Sequence, residues 1–405
     1  MATIRPFRAL RPEPSLASTI ASVPYDVVNT EEARALAAGN PLSFLHVSRS
    51  EIDLPADTNP YADIVYRTAA ERFTAIRAHM IEEAEPALYF YKLRMGPHEQ
   101  TGLAACYSLD EYDANLVKKH EKTRRDKEDD RTRHITQLRA QTGPVFLTYH
   151  ASASVDAVAA KVGKTAPLYD YVAPDGITHT VWKVTGADLK AVVGAFDMLP
   201  ALYIADGHHR AASAARARKS LAPEVGTDGV VEADWFLAVA FPDNQTQVLP
   251  YNRTVKDLAG LTPEAFMDAV KAVFSVREGG PATPARKGDC AMFLAGTWYT
   301  LDIGARAGGD VISRLDVSIL QDHLLDPVLK IGDVRTDKRI DFVGGIRGTA
   351  ELEKLVTSGK AAAAFSMYPV SVADLMGIAD AGEIMPPKST WFEPKLRDAL
   401  LIHTI

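Results

Sequence analysis

An α+β (mixed α/β) fold is predicted for this chain, and three observations carry the prediction. From residue 143 onward, short apolar strand-like runs alternate with helix-like segments, the pattern of a core layered from sheet and helix. One such run, 202–205, passes directly into an Ala- and Arg-rich stretch at 209–219, which reads as a strand joined to a strong helix by a tight turn. At 405 residues, with 47% apolar and 24% charged side chains, the chain is long enough to bury hydrophobic cores without disulfides or metals.

The elements follow in order. Residues 4–10 read as an extended arm, and Pro24 forces an extended, loop-like shape on the Ser22-Val23 step before Tyr25-Asp26. A short helix at 31–38 stops at Gly39-Asn40-Pro41. A longer one is predicted over 61–83, with Ile64, Ala69, Phe73, Ile76 and Met80 on one face. Aromatic residues at 87–93 and the run 103–109 read as a hairpin across a Gly96 to Gly102 turn. Further strands are predicted at 144–149, 178–184, 235–241, 247–249 and 361–367, with a hairpin around Gly296-Thr297. Helices are predicted at 155–162, 187–196, 263–274, 315–329, 351–358 and 372–376. Three regions are drawn on this basis: 1–142 with a charged lid segment, 143–260 as the core, and 261–405 as a C-terminal α+β region.

Composition narrows the function classes. A net charge of −7 argues against electrostatic capture of nucleic acid and favours a small ligand. No apolar run reaches the ~20 residues of a membrane span, and the N-terminus lacks a signal-peptide core, so a soluble cytoplasmic protein is expected. Cys106 and Cys290 share no metal or redox spacing and are expected to be core residues. Walker, Rossmann, nucleophile-elbow and zincin signatures are absent, and Gly344 to Gly348 reads as a plain turn.

The strongest site signal is Asp206-Gly207-His208-His209-Arg210 at the predicted strand-to-helix turn. Glycine permits close backbone approach, and the helix N-terminus offers free amides and a positive dipole end. His208, His209 and Arg210 add donors, while Asp206 adds a carboxylate able to hold a metal or take a proton. The bland alternative is that Asp206 caps the helix and one imidazole packs in the core. A second candidate is His120-Glu121-Lys122-Thr123 with Arg124, Arg125, Lys127, Asp130 and Arg131. It is either a lid over a nucleotide or the solvated face of a helix. Arg253, Lys388 and Thr390 are polar groups expected in loops, and Asp26 is a turn former or a substrate contact.

Pro24-Tyr25-Asp26-Val27, His120 to Thr123 with Asp130-Arg131, Ala205 to Arg210, Leu249 to Arg253 and Met385 to Thr390 occur in this order. With these motifs the chain resembles the bacterial and archaeal family catalogued as domain of unknown function 1015. The Asp206 to Arg210 piece is also similar to the nucleotide-binding turn of the ParB/sulfiredoxin superfamily, and most closely to that of its free-serine kinases. Where the family pattern often has His before Arg253, this chain has Asn252.

The resemblance implies a ParB/sulfiredoxin-like nucleotide-binding core with additional α/β segments. It also implies a kinase using ATP or ADP with Mg2+ to phosphorylate a small hydroxylated metabolite, free L-serine to O-phosphoserine first among candidates. Catalysis would fall to Asp206, Glu121 and His209, with Asp206 or Glu121 as base or metal ligand and Asp206 the first metal ligand to consider. Gly207, His208, His209, Arg210, Lys122, Thr123 and Arg253 would contact nucleotide phosphates, and Asp26, Lys388 and Thr390 the amino-acid substrate. The alternatives are a non-catalytic ParB-like nucleotide-binding or regulatory protein, for which no basic helix-turn-helix is visible, and a phosphoester hydrolase. Oligomeric state is left open.

Overall fold

The computed structural model describes residues 2–221 and 231–405. The described residues divide into two compact units, 2–246 with 394–405, and 247–393. These bounds differ from the three regions drawn from sequence: the 142/143 boundary falls inside the first unit, immediately before a central strand of its sheet. The architecture is mixed α/β, as the alternation of apolar runs and helical segments predicts.

In the first unit a mixed sheet runs in the order Val117–Lys118, Leu202–Asp206, Val145–Tyr149, Trp235–Pro242, His98–Ser108, Leu88–Met95, Thr178–Val184 and Tyr169–Val172. Ile4–Arg5 pairs beside His98–Ser108. The Leu202–Asp206 strand pairs parallel to Val117–Lys118 and antiparallel to Val145–Tyr149. The period-2 alternation of strands explains the core. Leu103, Ala105 and Tyr107, Val145, Leu147 and Tyr149, and Phe236, Ala238 and Ala240 share one buried cluster. Val192, Phe196, Ala211, Ala214 and Ala215 from the helices Gly186–Asp197 and His208–Leu221 cover it.

A smaller sheet in the same unit joins Met80–Glu82, Ala9–Pro12, Ile402–Thr404 and Ala140–Gln141. It corrects the long helix expected over 61–83. That helix spans Asp63–Arg77, and residues 80–82 pair instead with the N-terminal strand, Leu10 opposite Glu82. Met80 sits half-buried against the second core of this unit, alongside Phe44, Phe73 and Ile76. The hairpin turn is tighter than expected, with Met95 paired to His98.

The charge-dense run resolves into two parts. Arg125–Leu138 is a helix, and its buried residues Asp130, His134, Ile135 and Leu138 recur at helical spacing. It packs against the helices His208–Leu221 and Asp63–Arg77. Residues 119–124 are irregular and precede it.

The second unit is built on a sheet ordered Ser275–Glu278, Thr297–Asp302, Asp289–Leu294, Ala363–Met367, Tyr251–Val255 and Ile340–Gly344. Arg253 was expected in a loop, but with Asn252 and Thr254 it lies inside the Tyr251–Val255 strand and is buried. The expected helix over 315–329 is shorter and irregular, Asp316–Leu320 followed by a wider turn at Gln321–Leu325. Cys106 and Cys290 are both buried free thiols, and burial pushes both thiol pKa values up. No helix among the described residues is long and apolar enough to cross a membrane.

Candidate active site at the Asp206 to Arg210 turn

Apolar residues Leu202, Tyr203, Ile204 and Ala205 hold the strand in the sheet, so its end fixes where Asp206 emerges. Gly207 then takes φ +91°, a left-handed value that a side chain strongly disfavours. The 14-residue helix His208–Leu221 starts at once, and the first amides of any such helix lack partners within it. A Cβ on Gly207 would also stand 3.1 Å and 3.2 Å from Arg210 Nε and Cζ. Gly207→Ala is therefore expected to destabilise the protein by roughly 1–2 kcal/mol, read as a lowered urea midpoint; an unchanged midpoint would show the turn to be unstrained.

Asp206 sits among cations. Its Oδ2 is 3.0 Å from Lys395 Nζ and 3.8 Å from the Arg210 guanidinium, while Oδ1 accepts the Gly207 N–H at 2.9 Å. Burial alone raises the Asp206 pKa, but the Lys395 ammonium and the Arg210 guanidinium outweigh it and hold the carboxyl well below the usual range. Arg210 is itself buried, and its Nη1 donates to the Pro144 carbonyl. Its Nη2 lies 3.7 Å from Asp26. Burial disfavours its charge, yet Asp26, Asp206 and Asp398 together raise its pKa.

The two histidines differ. His208 is 4% exposed, whereas His209 is only half-buried at the rim. The bland alternative therefore describes His208 in part, since its ring does pack in the interior. Its Nε2 accepts the His120 N–H at 3.4 Å, and His209 Nε2 accepts the Arg124 N–H at 2.9 Å. The adjacent imidazoles thus hold the 119–124 segment from both ends. Burial lowers the pKa of both rings, so near neutral pH they offer lone pairs and N–H donors rather than positive charge. Glu121 is exposed, with its Oε2 3.8 Å from His208 Nδ1. Lys122 is exposed, and the Thr123 hydroxyl donates to Glu128 Oε1.

Asp206, Gly207, His208, His209, Arg210, Glu121, Lys122, Thr123 and Asp26 therefore all belong to the first unit, within these linked contacts or directly beside them in the chain. Arg253, Lys388 and Thr390 belong to the second. There Arg253 donates from Nη1 to the Tyr251 carbonyl and from Nη2 to the Lys388 carbonyl at 3.2 Å. Burial pushes its pKa down to about 10. Lys388 is exposed at φ +60°, its ammonium 5.4 Å from the Tyr251 ring, and Thr390 is half-buried.

Sequence reasoning missed two groups, Lys395 and Asp398. Lys395 lies 189 residues beyond Asp206 in the chain, and nothing local in the sequence marks it. Asp398 closes the floor behind the turn with Tyr25, Arg131, His134 and Arg210, around a cavity of about 40 Å³, room for a few waters at most. Its Oδ1 has no partner there.

No curated protein matches the chain. Among solved structures, a free serine kinase in complex with AMP is 15% identical, covering 73% of this chain and 92% of that one, at a TM-score of 0.34. A conserved hypothetical protein from Pyrococcus furiosus is 16% identical, covering 73% and 95%, at 0.34. C-terminally truncated SbnI from Staphylococcus aureus is 10% identical, covering 73% and 87%, at 0.39. The family model described as a protein of unknown function, DUF1015, matches residues 4–318, more than three-quarters of the chain, and the protein is a member of that family.

Proposed function

We propose that this protein is a nucleotide-dependent kinase that transfers a phosphoryl group to a small hydroxylated metabolite, with free L-serine as the first acceptor to test. One observation carries the reading: at the Gly207 turn, a helix N-terminus lies beside Lys395 and Arg210, both drawn together by the Asp206 carboxylate, whose pKa they hold low. Such a junction suits a polyanion, because helix amides and fixed cations neutralise charge without reorganising. Serine is chosen because the Asp206 to Arg210 motif is similar to that of free-serine kinases.

In phosphoryl transfer the acceptor oxygen bonds to phosphorus as the bridging P–O bond of the nucleotide breaks, and the acceptor hydroxyl gives up its proton. Arg210, His208, His209 and Lys122 line the phosphate side. Asp206 is stabilised as an anion by two cations and is poorly suited to take the proton, which goes to the exposed Glu121 carboxylate. Asp26, exposed beside Arg210, is placed to meet the ammonium group of an amino acid. A magnesium ion on Asp206 does not fit this arrangement, because the carboxylate already faces an ammonium and a guanidinium. The nucleotide's phosphates are the simpler place for magnesium.

The test incubates the purified protein with serine and the magnesium salt of ATP or ADP, and follows O-phosphoserine by mass spectrometry. Product with either nucleotide, lost in Lys395→Ala, is the expected result. Inorganic phosphate without phosphoserine would point to hydrolysis. Neither product, with no nucleotide-dependent shift in melting temperature, would remove the kinase reading.

A further inference from the structure

Beside the phosphate turn lies a cluster that includes His120, a buried residue to which the proposed kinase chemistry gives no role. His120 and His208 meet edge to face, with ring centroids 4.5 Å apart and planes at 90°. One ligand atom from each of His120, Glu121 and His208 lies within 4.8 Å of the others. His120 is 2% exposed, yet neither of its ring nitrogens has a hydrogen-bond partner. Burial pushes the imidazole down to about 4. The Ile204 backbone and the Asp206 carboxylate lie near enough to act on the ring, but neither makes a hydrogen bond to it. A buried imidazole with two orphaned nitrogens is a costly feature for a protein to keep, and a neutral imidazole is the form that binds metal.

We propose that His120, Glu121 and His208 form a binding site for a first-row divalent transition metal such as Zn2+, Co2+ or Mn2+. Two imidazole nitrogens and one carboxylate are the donor set such ions favour, whereas magnesium prefers an all-oxygen shell. The arrangement leaves room for further ligands, because Glu121 is exposed while the two histidines are not. His208 Nδ1 faces Glu121 at 3.8 Å. Coordination through Nδ1 moves or releases its proton, and the contact it disturbs, His120 N–H to Nε2, is long at 3.4 Å. A weak hydrogen bond is thus exchanged for a coordinate bond. Monodentate coordination engages one oxygen of Glu121, and the other remains the proton acceptor of the transfer proposed above.

The site stands on its own residues and does not require the kinase reading, so it is tested without nucleotide or acceptor. The full chain is stripped with a chelator, then titrated with Co2+ while visible absorption is followed, and separately loaded with Zn2+ and gel-filtered for metal analysis. The expected result is one equivalent of Co2+ with ligand-field bands. Zn2+ should displace it, and about a hundredfold excess of Mg2+ should not. Glu121→Gln and His208→Gln should each weaken binding by about tenfold or more. Substoichiometric metal after gel filtration with no ligand-field bands would overturn the proposal. So would binding that is undiminished in both variants. Should His208→Gln fail to fold, the exposed Glu121→Gln decides alone, since its side chain supports no core packing.

Discussion

Asp206→Asn is expected to lower the formation of phosphorylated product by about a hundredfold or more in kcat/KM, the scale on which removing one preorganised electrostatic group acts. It should also cost the fold about 2–3 kcal/mol. Removing one partner of a buried charge pair costs about 3–5 kcal/mol, and the lower figure reflects a carboxylate that is 31% exposed. The substitution keeps an oxygen for the Gly207 N–H but removes the charge that gathers Lys395 and Arg210 and puts an amide donor where Oδ2 accepted from Lys395. Steady-state kinetics and urea denaturation of the same preparation separate the two effects. A variant with wild-type kinetics and a wild-type urea midpoint would reduce the Asp206 pairs to bystanders.

The second large effect concerns pH. Asp398 is 3% exposed, and burial pushes its carboxyl from 3.8 up to about 7, against the pull of Arg210, Arg131 and Arg397 and with the help of Asp26. The folded protein therefore holds a proton on Asp398 that the unfolded chain releases near pH 4. Between about pH 4 and pH 7 the folded state binds more protons, so stability contributed by the protonated form falls as pH rises through that window and levels off above it. The full span corresponds to on the order of 4 kcal/mol. Asp398→Asn should flatten this slope and raise the urea midpoint at pH 8 relative to wild type. A wild-type stability that does not decline between pH 5 and pH 8, and that the substitution leaves unaltered, would show that the carboxyl is ionised throughout.

How much of this was legible beforehand depended on the range of the interaction that decides each element. The Leu202–Asp206 strand and the His208–Leu221 helix were readable because local signals agree there: an apolar run, then Gly207, then a stretch of Ala and Arg. The end of the helix begun at Asp63 was not. Residues 80–82 are as compatible with helix as with strand, and pairing with residues 10–12 settles the matter. The Tyr251–Val255 strand carries Asn, Arg and Thr in its middle, which imitate a loop. Only the tertiary structure shows that the Met367 N–H donates to the Asn252 side chain and that backbone carbonyls accept from Arg253. At the site, the Asp206 to Arg210 pentapeptide declared itself, while its counter-ion Lys395 and its neighbour Asp398 were invisible for lack of any local pattern.

Lys395, Arg397, Asp398 and the strand Ile402–Thr404 belong to the first unit although residues 247–393 separate them from the rest of it. During synthesis, then, Asp206 and Arg210 leave the ribosome long before the ammonium that will face them. The nascent first unit has to wait, with one strand of its smaller sheet missing, while the whole inserted unit is made. At ribosomal rates of about 5–20 residues per second that interval lasts roughly ten seconds or more, a period in which the unfinished pocket and its unpaired strand edge are open to chaperones and to misassembly.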